Sequence, residues 1–239
     1  PNRFRARSYN RKSAIEAWSD FKEMRRAVRF QLKYGDPVVP HRVLRAIVAN
    51  VRTPTNFLPT KALALMRYLA PDGGTVLDPC AGYGGRMLAA VAGRYSYVGN
   101  EIDPDTVKNL RCLHEVIGGD VEIHHGGAEL GLPDVKADLA VTSPPYFSQE
   151  KYSEYPRQSY QLYVTWDEWV ERFLCSMVKN VAERLKAGAP ACFIVSDIRQ
   201  SGTVYPLVEA TKEAGDVAGL MFQESIAVSL AKLGRSNAS

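Results

Sequence analysis

Short apolar runs rich in Val, Leu, Ile and Tyr recur along most of the chain: Gly74–Leu77, Tyr95–Asn100, Val121–His125, Ala137–Val141 and Ala191–Ser196. Each has the length and residue types of a buried strand. Between them, apolar positions return at helical spacing over Thr60–Leu69, over the Ala-rich Met87–Ala92, from Pro104 onward, and in a long segment that Thr165-Trp166-Asp167-Glu168 opens as a capping box. Strands alternating with helices predict an α/β, doubly wound domain with a mostly parallel sheet. A further run, Phe222–Leu230, predicts a sixth strand.

The first fifty residues follow another pattern. Ser13-Ala14-Ile15-Glu16 reads as a capping box, and Ile15, Trp18, Phe21, Met24 and Val28 then fall near helical spacing on one face. Lys22, Arg25, Arg26, Arg29 and Lys33 crowd the neighbouring face. After the break at Tyr34-Gly35-Asp36-Pro37, Arg42–Val51 predicts a second helix. Two units are therefore expected, a basic helical N-terminal extension over 1–52 and the α/β domain over 53–239.

Charge sharpens that division. The net charge of +4 conceals fifteen Lys and Arg against four Asp and Glu in residues 1–70, and fifteen against twenty-two in the rest. The basic end suits a polyanion, because phosphate neutralisation supplies most sequence-independent affinity for nucleic acid. No apolar run reaches membrane-spanning length, and the Arg-rich start has no hydrophobic signal region, so no membrane contact and a cytoplasmic location are expected. Cys80, Cys112, Cys175 and Cys192 lack metal-ligand spacing and are expected to be reduced, with no metal bound.

Chemistry-bearing residues gather at the strand ends. Asp78-Pro79-Cys80-Ala81-Gly82-Tyr83-Gly84-Gly85-Arg86 is a glycine-dense turn between a strand and a helix, where backbone N–H groups and the helix N-terminus favour an anionic ligand group. The third glycine of a dinucleotide fingerprint would fall at Met87, so that reading fails. The next strand ends at Glu101, placed to accept hydrogen bonds from ribose hydroxyls. Asp103 before Pro104 suits a helix N-cap. Thr142-Ser143-Pro144-Pro145-Tyr146 then follows a strand: two prolines make a rigid tip with free carbonyls, and an aromatic face stands beside it. That tip suits a planar ring with an exocyclic amino group.

Ser143-Pro144-Pro145-Tyr146 resembles the catalytic motif of the S-adenosylmethionine-dependent amino-group DNA methyltransferases, which modify cytosine N4 or adenine N6. Asp78–Gly84 is similar to the family's cofactor loop, with Cys80 and Tyr83 as departures, and Gly99–Pro104 to its second motif. The resemblance implies a Rossmann-like class I methyltransferase fold, with Ser143, Pro144, Pro145 and Tyr146 catalytic. It implies a cofactor site of Phe57, Pro59, Thr60, Asp78, Cys80, Ala81, Gly82, Tyr83, Gly84, Glu101, Ile102, Gly127 and Ala128, with Thr60 also an expected N-cap. The Thr53–Lys61 segment would close over the methionine end. Such a fold also ends on a seventh, antiparallel strand, for which Ala231–Ser239 leaves little chain.

The two motifs lie too close for a recognition domain between them. Recognition is therefore expected from the N-terminal Lys22, Arg25, Arg26 and Arg29 and from the aromatic and polar stretch Phe147–Tyr163, through Lys151, Tyr152, Arg157 and Gln158. The reaction implied is direct methyl transfer to a flipped base, with no cysteine nucleophile. Ser before Pro-Pro favours cytosine N4 over adenine N6. RNA as substrate and a non-catalytic nucleic-acid-binding module are the alternatives, and a separate target-recognition or restriction partner is compatible with the sequence.

Overall fold

The computed structural model describes residues 2–8, 11–51, 54 and 56–228. After a 3₁₀ turn, β1 (Arg7–Ser8) leads to three helices, α1 (Ala14–Trp18), α2 (Phe21–Lys33) and α3 (Pro40–Val51). The Ser13/Glu16 capping box forms as expected, with bonds of 3.2 and 2.7 Å. The single first helix does not. Asp20 accepts from the Glu23 amide at 3.0 Å and starts a second helix, which shifts the phase of the pattern. Ala14, Ala17 and Ala27 therefore pack on Val43, Ile47 and Val51, while Ile15, Trp18 and Phe21 stay exposed.

The α/β part begins with α4 (Pro59–Leu69), β2 (Thr75–Asp78), α5 (Gly85–Gly93), β3 (Ser96–Glu101), α6 (Pro104–Ile117), β4 (Val121–His125) and β5 (Leu139–Thr142). It continues through β6 (Glu150–Lys151), α7 (Ser159–Leu162), α8 (Trp166–Trp169), a π turn over Val170–Cys175, and α9 (Ser176–Arg184). It closes with β7 (Ala191–Phe193), a small hairpin of β8 (Ile198–Gln200) and β9 (Thr203–Tyr205), and α10 (Leu207–Val217).

Five strands make one parallel sheet in the order β4-β3-β2-β5-β7. Successive residues on a strand face opposite sides, so Val76, Leu139 and Val141 pack against α4, α5 and α6, while Leu77 and Ala140 meet α8, α9 and α10. The chain winds outward from β2 to β4, then returns to place β5 on the other side of β2. The resulting switch point, at the C-terminal ends of β2 and β5, is where open α/β sheets bind ligands.

Several expectations are corrected. Pro59 is the first residue of α4, Leu58 is its N-cap without a side-chain bond, and Thr60 is an exposed first-turn residue rather than the cap. Thr165 does cap α8 through the Glu168 amide at 3.3 Å, but the Glu168 carboxylate goes to Arg172 and the helix passes through the π turn. The sixth strand is absent over Phe222–Val228. Gln223, Glu224 and Ser225 interrupt its apolar pattern, Tyr68 donates to Glu224 at 2.8 Å, and β7 pairs only with β5 among the described residues. Residues 229–239, with the remainder of that strand and the tail, lie outside the described residues, as do Thr53 and Thr55. No helix of the described residues is long and apolar enough to cross a membrane.

Candidate functional site

At the switch point Asp78 is fully buried, and four donors use its lone pairs. Arg86 gives Nε to Oδ2 at 2.7 Å and Nη2 to Oδ1 at 3.2 Å; the Tyr97 hydroxyl donates to Oδ2 at 2.8 Å and the Thr142 hydroxyl to Oδ1 at 2.9 Å. A carboxylate has about four such positions, so Asp78 has none left for a cofactor. The expected direct contact is corrected: Asp78 instead ties β2, β3, β5 and α5 together. Arg86 also donates to the Cys80 carbonyl, and the Cys80 amide donates to Thr142 Oγ1 at 3.3 Å. Burial would lower the Arg86 pKa, but the adjacent Asp78 charge more than reverses that. Sequence reasoning missed Arg86, Tyr97 and Thr142. The available signal was an Arg opening an otherwise apolar helix, eight residues after an acid.

The loop that follows turns through Gly82 and Gly84, whose φ values of 58° and 85° lie in the left-handed region. Gly84 is the N-cap of α5 and supplies no side-chain acceptor, which leaves first-turn N–H groups for a ligand. A Cβ on Gly85 would lie 2.2 Å from the Phe57 carbonyl, so the segment entering α4 abuts this loop. Pro59 follows it, half-buried. Ala81 is buried and donates its amide to Asn100 O at 2.9 Å. Cys80 Sγ rests 3.8 Å from Met177 Sδ, and burial pushes its thiol well above the usual range, which disfavours a nucleophilic thiolate. Tyr83 is half-buried beside the loop.

Glu101, at the end of β3, accepts from the Gly82 amide at 2.9 Å and the Asp103 amide at 3.0 Å. No basic side chain pairs with it among the described residues. Burial pushes its pKa up to about 7, against the pull of those two amides. Folding thus favours the protonated acid: this stabilisation is full below about 4.5 and is lost as pH rises through about 7. Glu101→Gln should therefore be more stable than the wild type at pH 8, by about 2–3 kcal/mol in denaturant titrations, with the advantage gone at pH 4.5. Asp103 caps α6 as expected, accepting from the Thr106 amide at 2.8 Å.

Beside Glu101, a cleft of about 260 Å³ is lined by Ile102, His125, Gly127, Tyr155 and Arg157 among others. Ile102 and Gly127 are thus brought together, and Arg157, which is exposed, lines the same cleft. Ala128 packs its side chain in the core and its carbonyl accepts from Asn180 at 2.8 Å, because the turn after Gly127 packs down on α9, so any contact it makes with a cofactor is through its backbone N–H.

Ser143 and Tyr146 both direct their hydroxyls to one acceptor, the Ile194 carbonyl, at 3.1 and 3.3 Å. Ile194 was missed; its own amide donates to Thr142 O at 2.8 Å, extending the β5–β7 pairing to the motif. Pro144 is buried and Pro145 half-buried between the two hydroxyl residues. Phe147 then adopts φ 44°, unusual for an aromatic residue, and turns its ring into Trp166, Trp169 and Tyr205. Phe147 is buried in the core, so Phe147–Tyr163 is not a uniform substrate-facing loop. Gln158 is buried on Ser153 Oγ at 3.1 Å, and Tyr152 donates to Glu150 at 2.5 Å. Gln158 is therefore not exposed to read a base edge, while Tyr152 is half-buried with its hydroxyl bound within the loop. Lys22, Arg25, Arg26, Arg29 and Lys151 are exposed and form no ion pair among the described residues.

The parallel sheet with helices on both faces, reversed at β2/β5 and carrying its loops at the strand C-termini, is a Rossmann-like, doubly wound α/β fold. No protein-family description matches the sequence, and no curated protein does. Solved structures similar to it include a Pyrococcus horikoshii OT3 protein (21% identity over 66% of this chain and 60% of that one, TM-score 0.42). Another is an S-adenosylmethionine-dependent methyltransferase from Clostridium acetobutylicum (12%, 67% and 57%, 0.44). A third is the O-methyltransferase of a Brevibacillus brevis polyketide multienzyme in complex with S-adenosyl-L-homocysteine (13%, 71% and 54%, 0.43). The chain spans 54–60% of the length of these three.

Proposed function

We propose that this protein transfers a methyl group from S-adenosylmethionine to the exocyclic amino group of a DNA base, cytosine N4 in preference to adenine N6. One observation carries the reading: the Ser143 hydroxyl lies 3.1 Å from Ile194 O at the end of β5, beside the glycine loop, so it can give its only proton there and keep its lone pairs as acceptors. An amino group there can give one N–H to Ser143 Oγ and the other to the Pro144 carbonyl. Its nitrogen then loses conjugation with the ring and directs its lone pair outward. Orientation is the principal catalytic contribution, because the nitrogen is otherwise a weak nucleophile. Tyr146 supplies the face on which the flipped base stacks.

The cofactor supplies an electrophilic methyl on a sulfonium. The chain's residues fit it: Gly82, Gly84 and the α5 N-terminus offer N–H groups to its carboxylate, Glu101 accepts the ribose hydroxyls, and the cleft of Ile102 and Gly127 takes the adenine. Ionised Glu101 is the form that accepts two hydroxyls. Cofactor affinity should thus be level above about pH 8 and fall about tenfold per unit below about pH 6. Calorimetric titration across that range checks this, and Glu101→Gln should bind weakly with a flat profile. Lys22, Arg25, Arg26, Arg29 and Lys151 are the proposed contacts to DNA phosphates.

The test of the reaction is incubation with labelled S-adenosylmethionine and mixed-sequence DNA or RNA, followed by digestion and nucleoside identification. N4-methylcytosine or N6-methyladenine from DNA supports the proposal. Label on RNA alone moves the substrate class, and bound cofactor with label on neither overturns the proposal.

A further inference from the structure

The solvent face of α2 carries more than phosphate contact requires. At about 100° of rotation per residue, Ala27 and Gln31 mark the buried side of the helix, and Lys22, Arg25, Arg26, Arg29 and Lys33 centre on the opposite one. Lys22, Arg26, Arg29 and Lys33 fall in one row about 16 Å long. The acids nearest in sequence are engaged elsewhere: Asp20 with Lys12 at 2.5 Å, Glu23 with Asn50 at 2.6 Å, and Asp36 with Arg42. None of the five cations forms an ion pair among the described residues, so the ridge keeps its charge.

Aromatic rings flank this ridge in solvent. Phe30 and Tyr34 are 52% and 60% exposed on one flank, with ring centroids 4.8 Å apart, and Lys33 Nζ lies 5.6 Å from the Tyr34 centroid. Phe21, on the other flank, is 80% exposed. The core contact of the extension is made by residues such as Ala27, Val43, Ile47 and Val51, and none of the three rings contributes to it. Exposed rings grouped with unpaired cations describe a surface for a ligand that is anionic and flat-faced at once.

We infer that this face of α2 binds single-stranded DNA, the ridge taking its phosphates while Phe30 and Tyr34 stack on its bases. The inference rests on the reading of DNA as partner, adds the strandedness of that partner, and is independent of the methyl transfer. In a duplex the base faces cover one another, and the rings would meet only sugar and phosphate. An unpaired strand leaves base faces free for stacking on aromatic side chains. An apolar protein partner would instead desolvate five cations without pairing them. The β1–β6 pairing, with Ser8 opposite Glu150, ties the extension to the segment that follows the Ser143–Tyr146 motif. Chemistry on a base needs that base unpaired, so a preference for unpaired strand on the extension acts in the same direction as the reaction.

The experiment measures fluorescence anisotropy with labelled oligonucleotides of about 15 nucleotides: single-stranded DNA, the same sequence as duplex, a single strand with abasic sites, and single-stranded RNA. Wild type is compared with Phe30→Ala/Tyr34→Ala and Arg26→Gln/Arg29→Gln, and thermal melting shows that each variant is folded. The ring variant should lose about 10- to 100-fold on the single strand and less than about twofold on the duplex. Wild type should lose a similar factor on the abasic strand, where the ring variant loses little more. The charge variant should weaken on both forms, with its salt slope on the single strand reduced by about 1.4. Equal ring-variant losses on single strand and duplex, or no loss on the single strand, overturn the stacking and leave the phosphate contacts standing. Tighter binding to RNA overturns the choice of DNA. Ring-dependent binding of anionic phospholipid vesicles or ring-dependent self-association, without ring-dependent DNA binding, gives the face another occupant and overturns the inference. Single-strand binding of the expected kind by a protein that methylates no base supports this inference and overturns the reaction proposed above.

Discussion

Replacing Arg86 by Met should cost about 3–5 kcal/mol of stability, with a melting temperature lower by about 10 °C. The substitution keeps most of the side chain's volume and removes the cation paired with Asp78, a carboxylate with no exposed surface. Tyr97 and Thr142 remain as neutral donors, but two hydroxyls do not balance a full charge taken out of water. The Cys80 carbonyl loses a donor as well, so the glycine loop should loosen and cofactor affinity fall along with stability. Denaturant unfolding and calorimetry measure the two effects. Adding Asp78→Asn to Arg86→Met should return part of the loss, because it removes the stranded charge. A single-variant cost under about 1 kcal/mol would mean that the pair does not hold the loop.

Ser143→Ala should lower kcat by about 10²–10³ and leave cofactor binding within about twofold. The magnitude is that of removing one preorganised hydrogen-bonding group from a transition state. Binding is spared because Ser143 hydrogen-bonds to Ile194 and not to the glycine loop, and stability changes little because Tyr146 still donates to the same carbonyl. Single-turnover methylation with saturating cofactor isolates the chemical step. A fall in cofactor affinity equal to the fall in rate would assign Ser143 a binding role instead.

The α/β alternation was legible because each buried strand must be apolar on both faces and each covering helix on one, and those two periods are local properties of the chain. Val121–His125 forms over the expected residues, and the others shift by one to three. The glycine loop, Glu101 and the Ser143–Tyr146 tip were legible for a related reason. Left-handed glycines, a strand-end acid and paired prolines restrict the backbone wherever the rest of the protein lies. The expected first helix and sixth strand failed where a stronger local signal, the Asp20 cap, or a polar interruption, Gln223–Ser225, competed with the apolar period.

Side-chain partnerships at long range were another matter. Nothing local distinguishes an Asp78 that binds a ligand from one whose four lone pairs are taken by Arg86, Tyr97 and Thr142, because two of those donors arrive from strands nineteen and sixty-four residues away. The same holds for Ile194, the acceptor that orients Ser143, and for Ser8, which pairs with Glu150 from the far end of the chain. The sequence by itself determined the elements, their order and the backbone of the loops, since these follow from local periodicity and restricted dihedral angles. Only the tertiary structure decided which polar groups satisfy each other and which are left for a ligand. A hydrogen bond depends on ångström-scale approach, and that is settled when the sheet and its covering layers close.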